Sequence, residues 1–269
     1  IIQSGNDASV VLAEGLAGTE EAFADAMTRK AQELGMKNTT FYNVTGWPHP
    51  DHMTTVRDMS ILAMRMIQDF PEYYNFYSQR EFTYNGIRQI IRNPLIQQGF
   101  PGADGLKTGY TEQAGYCLTG SAKRNGLRLV MVVGGLKTPK QRADESRKIL
   151  EWGFREYRSY TLFKPDETTA TSKVWLGVRN SVPLATREPI VLTMPVSDTA
   201  KIKVRVTYNE PLTAPVLKGT EVGKAIIENV GPDNKTIELP LYTKEDVNGI
   251  GFADGMRRKI DFLLSGKTS

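Results

Sequence analysis

The chain of 269 residues is 40% hydrophobic and 24% charged, a balance that excludes a disordered chain and suits about two globular domains. Its net charge of +4 fits an anionic partner (nucleic acid, a membrane surface or a carboxylate), or nothing beyond ordinary solubility. A lone cysteine, Cys117, excludes an intrachain disulfide, and no apolar run reaches the roughly 18 residues of a membrane-spanning helix.

The chain opens on IIQSGN, an apolar dipeptide leading straight into Ser4-Gly5-Asn6. Asn6 or Asp7 is expected to cap a first helix that stops at Gly18. Thr19 caps a second helix, with Glu20 and Glu21 at its positive end, Phe23, Ala26, Met27 and Leu34 along one face, and Gly35 as its stop. The loop HPDH, His49 to His52, holds two histidines three apart, but Pro50 prevents a regular helix from presenting both, so a surface loop is expected rather than a metal site. In TTVRDMSILAMRMIQDF, Thr55 and Asp58 have capping-box spacing ahead of an apolar stripe of Val56, Met59, Leu62, Ala63, Met66 and Ile67. GADGLKTGYT then leads by a strand into GYCLTGSAKRNGLRLVMVVGGL, two β-rich runs around Asn125-Gly126, a strong hairpin signal. A helix follows with Thr138 as N-cap, Pro139 in its first position, and Ile149, Leu150, Trp152 and Phe154 at its buried end.

Past about residue 158 the pattern turns to strands. AKIKVRVTYN alternates, with Ile202, Val204, Val206 and Tyr208 on one face. Similar runs recur near 173–177, 189–194, 220–228 and 235–242, which predicts a small antiparallel sandwich or barrel. The tail pairs Met256, Ile260, Phe262, Leu263 and Leu264 with Arg257, Arg258 and Lys259. Such a short basic amphipathic helix lies in a membrane interface, docks on its own domain, or ends the chain in solvent.

Two polar groupings carry chemistry. Ser4-x-Asn6 stands at a helix start, where its plain reading is capping. Lys107-Thr108-Gly109 stands on a strand, where a lysine is often only solvated. Together, in this order, S-x-N and K-T-G are two of three elements of the penicillin-recognising serine acyltransferases, whose third is S-x-x-K. Such a site needs a serine nucleophile, a nearby base, a second hydroxyl to pass protons, and a cation for a substrate carboxylate.

Beyond these motifs, IIQSGNDA, NTTF, the helix with RDM, GLKTGYTEQAGYCLTGSA and ESRKILEWGF resemble the D-alanyl-D-alanine carboxypeptidases, low-molecular-mass penicillin-binding proteins of the bacterial periplasm. The resemblance runs through the β-rich region to the tail. It implies an α/β (α+β) transpeptidase domain of the penicillin-binding and β-lactamase type over residues 1–158, incomplete at its N-terminus. A small all-β domain over 159–245 and an amphipathic tail over 246–269 are expected to follow. It also implies an enzyme without cofactor or metal that cleaves the terminal D-alanine from peptidoglycan stem peptides through an acyl-enzyme and is acylated by β-lactam antibiotics. Its place would be the periplasmic face of the inner membrane, held there by the tail, with no nucleic-acid partner.

Carried over by residue, the resemblance assigns catalysis to Ser4, Asn6 and Lys107 and substrate binding to Thr108 and Gly109. Arg92 and Arg142 fall where the family places arginines near the site, with surface salt bridges as the other reading. Tyr110 tunes specificity or packs, and Cys117 is expected to behave as a small buried apolar residue. No serine here has a lysine three residues later. The nucleophile and its lysine are therefore expected on an upstream segment, without which the chain is inactive. A class A β-lactamase and a catalytically silent wall-binding protein are the competing readings.

Overall fold

Glycines, proline and short polar caps punctuate the chain where its elements begin and end, as a computed structural model describes for residues 1–197, 202–230 and 234–265. Ala200 and Lys201 of the alternating run, and the side chain of Phe262, lie outside the described residues. The chain divides into two units, Ile1–Arg155 and Glu156–Ser269, each with its own core.

In the first unit, α1 (Asn6–Ala17) and α2 (Glu20–Glu33) lead to α3 (Val56–Asp69) and the short α4 (Pro71–Tyr74). The Thr19 hydroxyl accepts the Ala22 N–H at 3.1 Å, and that of Thr55 accepts the Asp58 N–H at 3.1 Å. Each such cap stabilises its helix by about 1 kcal/mol. The first helix departs from expectation: Gly5, not Asn6 or Asp7, is its N-cap, and no side chain caps it. The Asp7 carboxylate is taken up locally by the Ala8 N–H at 2.9 Å. On α2 the fully buried residues are Ala24 and Ala31, beside the expected stripe, because alanine permits the closest approach of neighbouring chain. On α3 the stripe is half-buried or buried except for Val56, which is exposed. Buried Asp58 reaches beyond a capping box, accepting from the Thr39 hydroxyl at 2.7 Å and the Asn38 N–H at 2.8 Å.

After α4 comes a further hairpin, β1 (Glu81–Tyr84) and β2 (Ile87–Ile90), joined through Asn85-Gly86. Then α5 (Pro94–Gln97) precedes three antiparallel strands, β3 (Ala103–Thr111), β4 (Gly115–Arg124) and β5 (Leu127–Leu136), in that order across the sheet. Asn125 and Gly126 turn β4 into β5 with φ of 48° and 81°, the left-handed conformation this turn requires. The helix α6 (Pro139–Glu156) starts as expected, with the Thr138 hydroxyl accepting the Gln141 N–H at 3.0 Å. Leu150 joins Leu95, Phe100, Leu118, Met131 and Val133 in the core, while Ile149 and Trp152 are exposed. Four apolar residues within six positions cannot all face one way on a helix, so Leu150 takes the centre and half-buried Phe154 its edge.

In the second unit β7 (Ala170–Trp175), β8 (Ser181–Ala185), β10 (Lys203–Tyr208), β11 (Leu212–Thr213), β12 (Glu221–Val230) and β13 (Lys235–Thr243) form one sheet, ordered β10-β12-β13-β8-β7-β11. The strands β6 (Tyr157–Phe163) and β9 (Ile190–Pro195) form a second, two-stranded sheet. All pairs are antiparallel except β11 with β7, a departure from the purely antiparallel expectation. Ile190, Leu192 and Met194 pack with Ala225, Ile227 and Leu241. As an edge strand, β10 leaves Val204 exposed while Ile202, Val206 and Tyr208 are half-buried. The tail is the helix α7 (Phe252–Ser265), on which Phe252, Leu263 and Leu264 are all more than 80% exposed.

Candidate active site

The strand β3 carries Lys107, Thr108, Gly109 and Tyr110, paired across β4 with Thr119, Leu118, Cys117 and Tyr116. Among the described strands β3 lies at the edge of its sheet, so its outer backbone is open to an extended peptide. At Gly109 a Cβ would meet only the Cys117 Cβ, at 3.8 Å, which leaves that stretch of strand open to close approach. Cys117 is half-buried rather than a core residue, its thiol directed at the carbonyls of Ala114 and Gly115 at 3.5 and 3.6 Å.

Lys107 is half-buried and donates its ammonium to the Thr108 carbonyl at 2.8 Å. Burial lowers its pKa, and the positive charges of Arg92 and Arg142 lower it further. Arg142, in the first turns of α6, donates Nη2 to the Arg92 carbonyl at 3.5 Å, while its buried Nε has no hydrogen-bond partner. Burial holds the Arg142 pKa below its ordinary value, partly opposed by Tyr116 and Cys117. Neither arginine forms an ion pair among the described residues, which departs from the salt-bridge reading. The arrangement is two arginines around one lysine, with no carboxylate among the described ion pairs.

The N-terminal stretch is tied to this strand by its apolar lead-in. Ile2 is buried against Ile91 and Ile96, and Ile1 and Ile2 line a narrow crevice with Ile91, Arg92, Lys107 and Thr108. Ser4 follows at a φ of 60°, a left-handed conformation that costs a non-glycine residue of order 1 kcal/mol and is concentrated at functional sites. Asn6 opens α1 and is exposed. Among the described residues neither the Ser4 hydroxyl nor the Asn6 carboxamide is engaged in a hydrogen bond, and neither residue lines the crevice beside Lys107. A wider groove runs past Gly5, Asp7 and Ala8, walled by Phe76, from the 3-10 turn Asn75–Ser78, and by Phe82 and Tyr84 from β1.

Three contributors were not singled out from sequence. Buried Asn93 donates to the Gly105 carbonyl at 2.9 Å and accepts the Leu95 N–H at 3.0 Å, which fixes the Arg92 loop against β3. Under the strand, Arg128 clasps Asp104 through two hydrogen bonds of 2.9 and 2.7 Å, and the Tyr74 hydroxyl donates to the same carboxylate at 3.2 Å. Tyr116 stacks on Tyr110 with ring centres 4.2 Å apart. The aromatic walls had a legible signal, Asn85-Gly86 between β-forming runs; the other contacts had none. In the HPDH loop, the His49 ring stacks on Tyr42 and its Nδ1 accepts the Asp51 N–H at 3.2 Å, while His52 Nδ1 accepts the Tyr42 N–H at 3.2 Å. The loop thus occupies one nitrogen of each histidine internally.

Residues 1–138 match the family described as D-alanyl-D-alanine carboxypeptidase, and residues 157–249 match the C-terminal domain of penicillin-binding protein 5. The chain is 43% identical over 266 residues to D-alanyl-D-alanine carboxypeptidase DacC of Escherichia coli, covering 98% of this chain and 65% of that one. It is 38% identical to DacF of Bacillus subtilis, over 96% of this chain and 67% of the relative. The chain therefore spans about two thirds of the length of these curated relatives. Its structure is similar to penicillin binding protein 5 of Haemophilus influenzae, with a TM-score of 0.70 and 36% identity over 91% of this chain and 71% of the other. It is also similar to penicillin-binding protein D2 of Listeria monocytogenes in an ampicillin-bound form, with a TM-score of 0.53 and 33% identity over 57% and 63% of the two chains.

Proposed function

The chain belongs to the D-alanyl-D-alanine carboxypeptidase family, and from that premise we propose that it forms the larger part of a serine-type enzyme that removes the terminal D-alanine of peptidoglycan stem peptides. The observation that carries this reading is the Lys107 cluster: a half-buried lysine on an edge strand, beside Arg92 and Arg142, with no carboxylate among the described ion pairs to balance it. An anionic ligand lying along β3 supplies the missing charge, and the C-terminal carboxylate of a peptide is that ligand.

In this scheme the nucleophile and its lysine come from an S-x-x-K segment outside these 269 residues, since none is present within them. That serine attacks the carbonyl between the two D-alanines, and backbone N–H groups, one on β3 after Gly109, hold the oxyanion. Ser4 passes a proton to the departing D-alanine amine, assisted by Lys107. A lysine of lowered pKa gives up and regains a proton more readily near neutrality. Asn6 orients the peptide amide, Thr108 and Arg142 hold the carboxylate with Arg92 adjoining, and open Gly109 admits the substrate backbone. Tyr110 lies at the far end of the carboxylate site. Water then releases the shortened peptide.

The peptidase portion is assigned to residues 1–158, the β domain to 159–245 and the tail to 246–269. The exposed apolar residues of α7, with Arg257, Arg258 and Lys259 on the same helix, support attachment to an anionic membrane surface on the periplasmic side. No described helix is long and apolar enough to cross a membrane.

The test is D-alanine release from a pentapeptide, and labelling by a fluorescent penicillin, with the complete enzyme carrying S-x-x-K. Lys107→Ala and Ser4→Ala are each expected to slow acylation by about 10²-fold or more. Unchanged acylation removes the altered residue from the mechanism. Rapid turnover of nitrocefin identifies a β-lactamase instead, and absence of D-alanine release from any pentapeptide identifies a silent wall binder.

A further inference from the structure

Arg142 poses a physical problem that the peptidase reading does not answer. Its guanidinium is half-buried, its Nε is buried without a hydrogen-bond partner, and its described hydrogen bond, to the Arg92 carbonyl, is a long 3.5 Å. It has no carboxylate partner among the described residues. A long side chain held this loosely samples several rotamers, and a disordered cation binds a carboxylate poorly.

What the guanidinium does meet is a ring. The Arg142 guanidinium carbon lies 5.7 Å from the centre of the Tyr116 ring, within reach of a cation–π interaction. Tyr116 is in turn backed by Tyr110, its direct partner across the β3–β4 pair, with ring centres 4.2 Å apart and planes 29° from parallel. Tyr110 is the residue immediately after Lys107-Thr108-Gly109, and it is 55% exposed. Three planar groups therefore form a row in order of contact, Tyr110 to Tyr116 and Tyr116 to Arg142. Each tyrosine has few rotatable bonds and is held by strand pairing, so the row is a rigid backing for the flexible arginine.

We propose that Tyr116, supported by Tyr110, is a positioning residue that holds the Arg142 guanidinium in place for the substrate carboxylate. The proposal rests on the reading of Arg142 as a carboxylate-binding residue. It assigns the tyrosine ring, not its hydroxyl, to the task. The ring acts on recognition of the free carboxylate and not on the acylation chemistry.

The experiment measures KM and kcat of the complete enzyme for a D-Ala-D-Ala peptide and for the same peptide with a C-terminal carboxamide. Tyr116→Leu is expected to raise KM for the free acid about fivefold with little change in kcat and no change for the amide, and Tyr116→Phe restores it. In an Arg142→Gln background Tyr116→Leu adds nothing further. If Arg142→Gln raises KM and Tyr116→Leu does not, the positioning role is overturned while the carboxylate reading stands. If Tyr116→Leu impairs acid and amide alike, the ring is only structural and the proposal is likewise overturned. If Arg142→Gln leaves KM unchanged, the carboxylate reading fails and the proposal with it. Should Tyr116→Leu not fold, Tyr110→Ala at the exposed end of the row carries the same comparison, with the same outcomes deciding it.

Discussion

Lys107 owes its character to burial and to two arginines, of which Arg142 lies far from it in sequence. Burial beside the crevice lowers its pKa first, and the charges of Arg92 and Arg142 lower it further. A lysine that must be neutral to accept a proton works over a wider pH range when its charged form is disfavoured. Removing one positive neighbour relieves that pressure, so Arg142→Gln raises the pKa of Lys107. In the complete enzyme the limb of the acylation pH profile that follows lysine deprotonation should move to higher pH in this variant. A profile that keeps its position while KM rises separates Arg142 from Lys107 electrostatically. Ser4 belongs at this scale too. Its left-handed backbone, with Gly5 rather than a polar side chain as the N-cap, forgoes the usual capping stabilisation and leaves the Ser4 hydroxyl and Asn6 amide uncommitted.

At the scale of elements, β3 is held from beneath and α3 from its start. The Tyr74 ring lies directly under Gly105, where a Cβ would collide with its hydroxyl and ring carbon. Gly105→Ala is therefore expected to destabilise the protein by about 1–3 kcal/mol in denaturant unfolding. The tie of Asn93 to the Gly105 carbonyl makes the Arg92 loop share in that loss. At α3, the hydroxyl of Thr39 holds the Asp58 carboxyl below its usual range, aided by the Asn38 N–H and Thr55, while burial opposes them. The folded pKa lies below the unfolded value of about 3.9, so this stabilisation is complete above that pH and is lost as pH falls through the folded value. Asp58→Asn should lower the melting temperature at neutral pH and flatten its acid dependence. An unchanged acid profile would show that other carboxylates govern it.

For the molecule as a whole, the chemistry is divided between what the chain holds and what it needs. It carries the residues proposed for the proton relay, the lysine strand and the arginines, but no serine followed three residues later by lysine. These 269 residues by themselves are accordingly expected to take no label from a fluorescent penicillin, and joining them to an S-x-x-K segment should restore it. Labelling of the isolated chain would place the nucleophile among its own serines.

How much of this was legible depended on how far a signal reaches along the chain. Helix starts at Thr19, Thr55 and Thr138 and the turn at Asn125-Gly126 were readable because caps and tight turns are decided within four residues. The K-T-G strand was readable because its residue types and order recur in a known chemistry. The hairpin at Asn85-Gly86 carries the same local signal as Asn125-Gly126, with positive φ at both turn residues. The bare Gly5 cap was not legible, because residue types alone favour a polar side chain at that position. The parallel pairing of β11 with β7, the exposure of Val204 on an edge strand and the row from Tyr110 through Tyr116 to Arg142 had no local trace. Sequence by itself determined which residues could do the chemistry and where helices and turns begin, since those follow from residue type and short-range hydrogen bonding. Only the tertiary structure decided which charges meet at Lys107 and what supports Arg142, because burial and Coulomb interaction depend on distance in space.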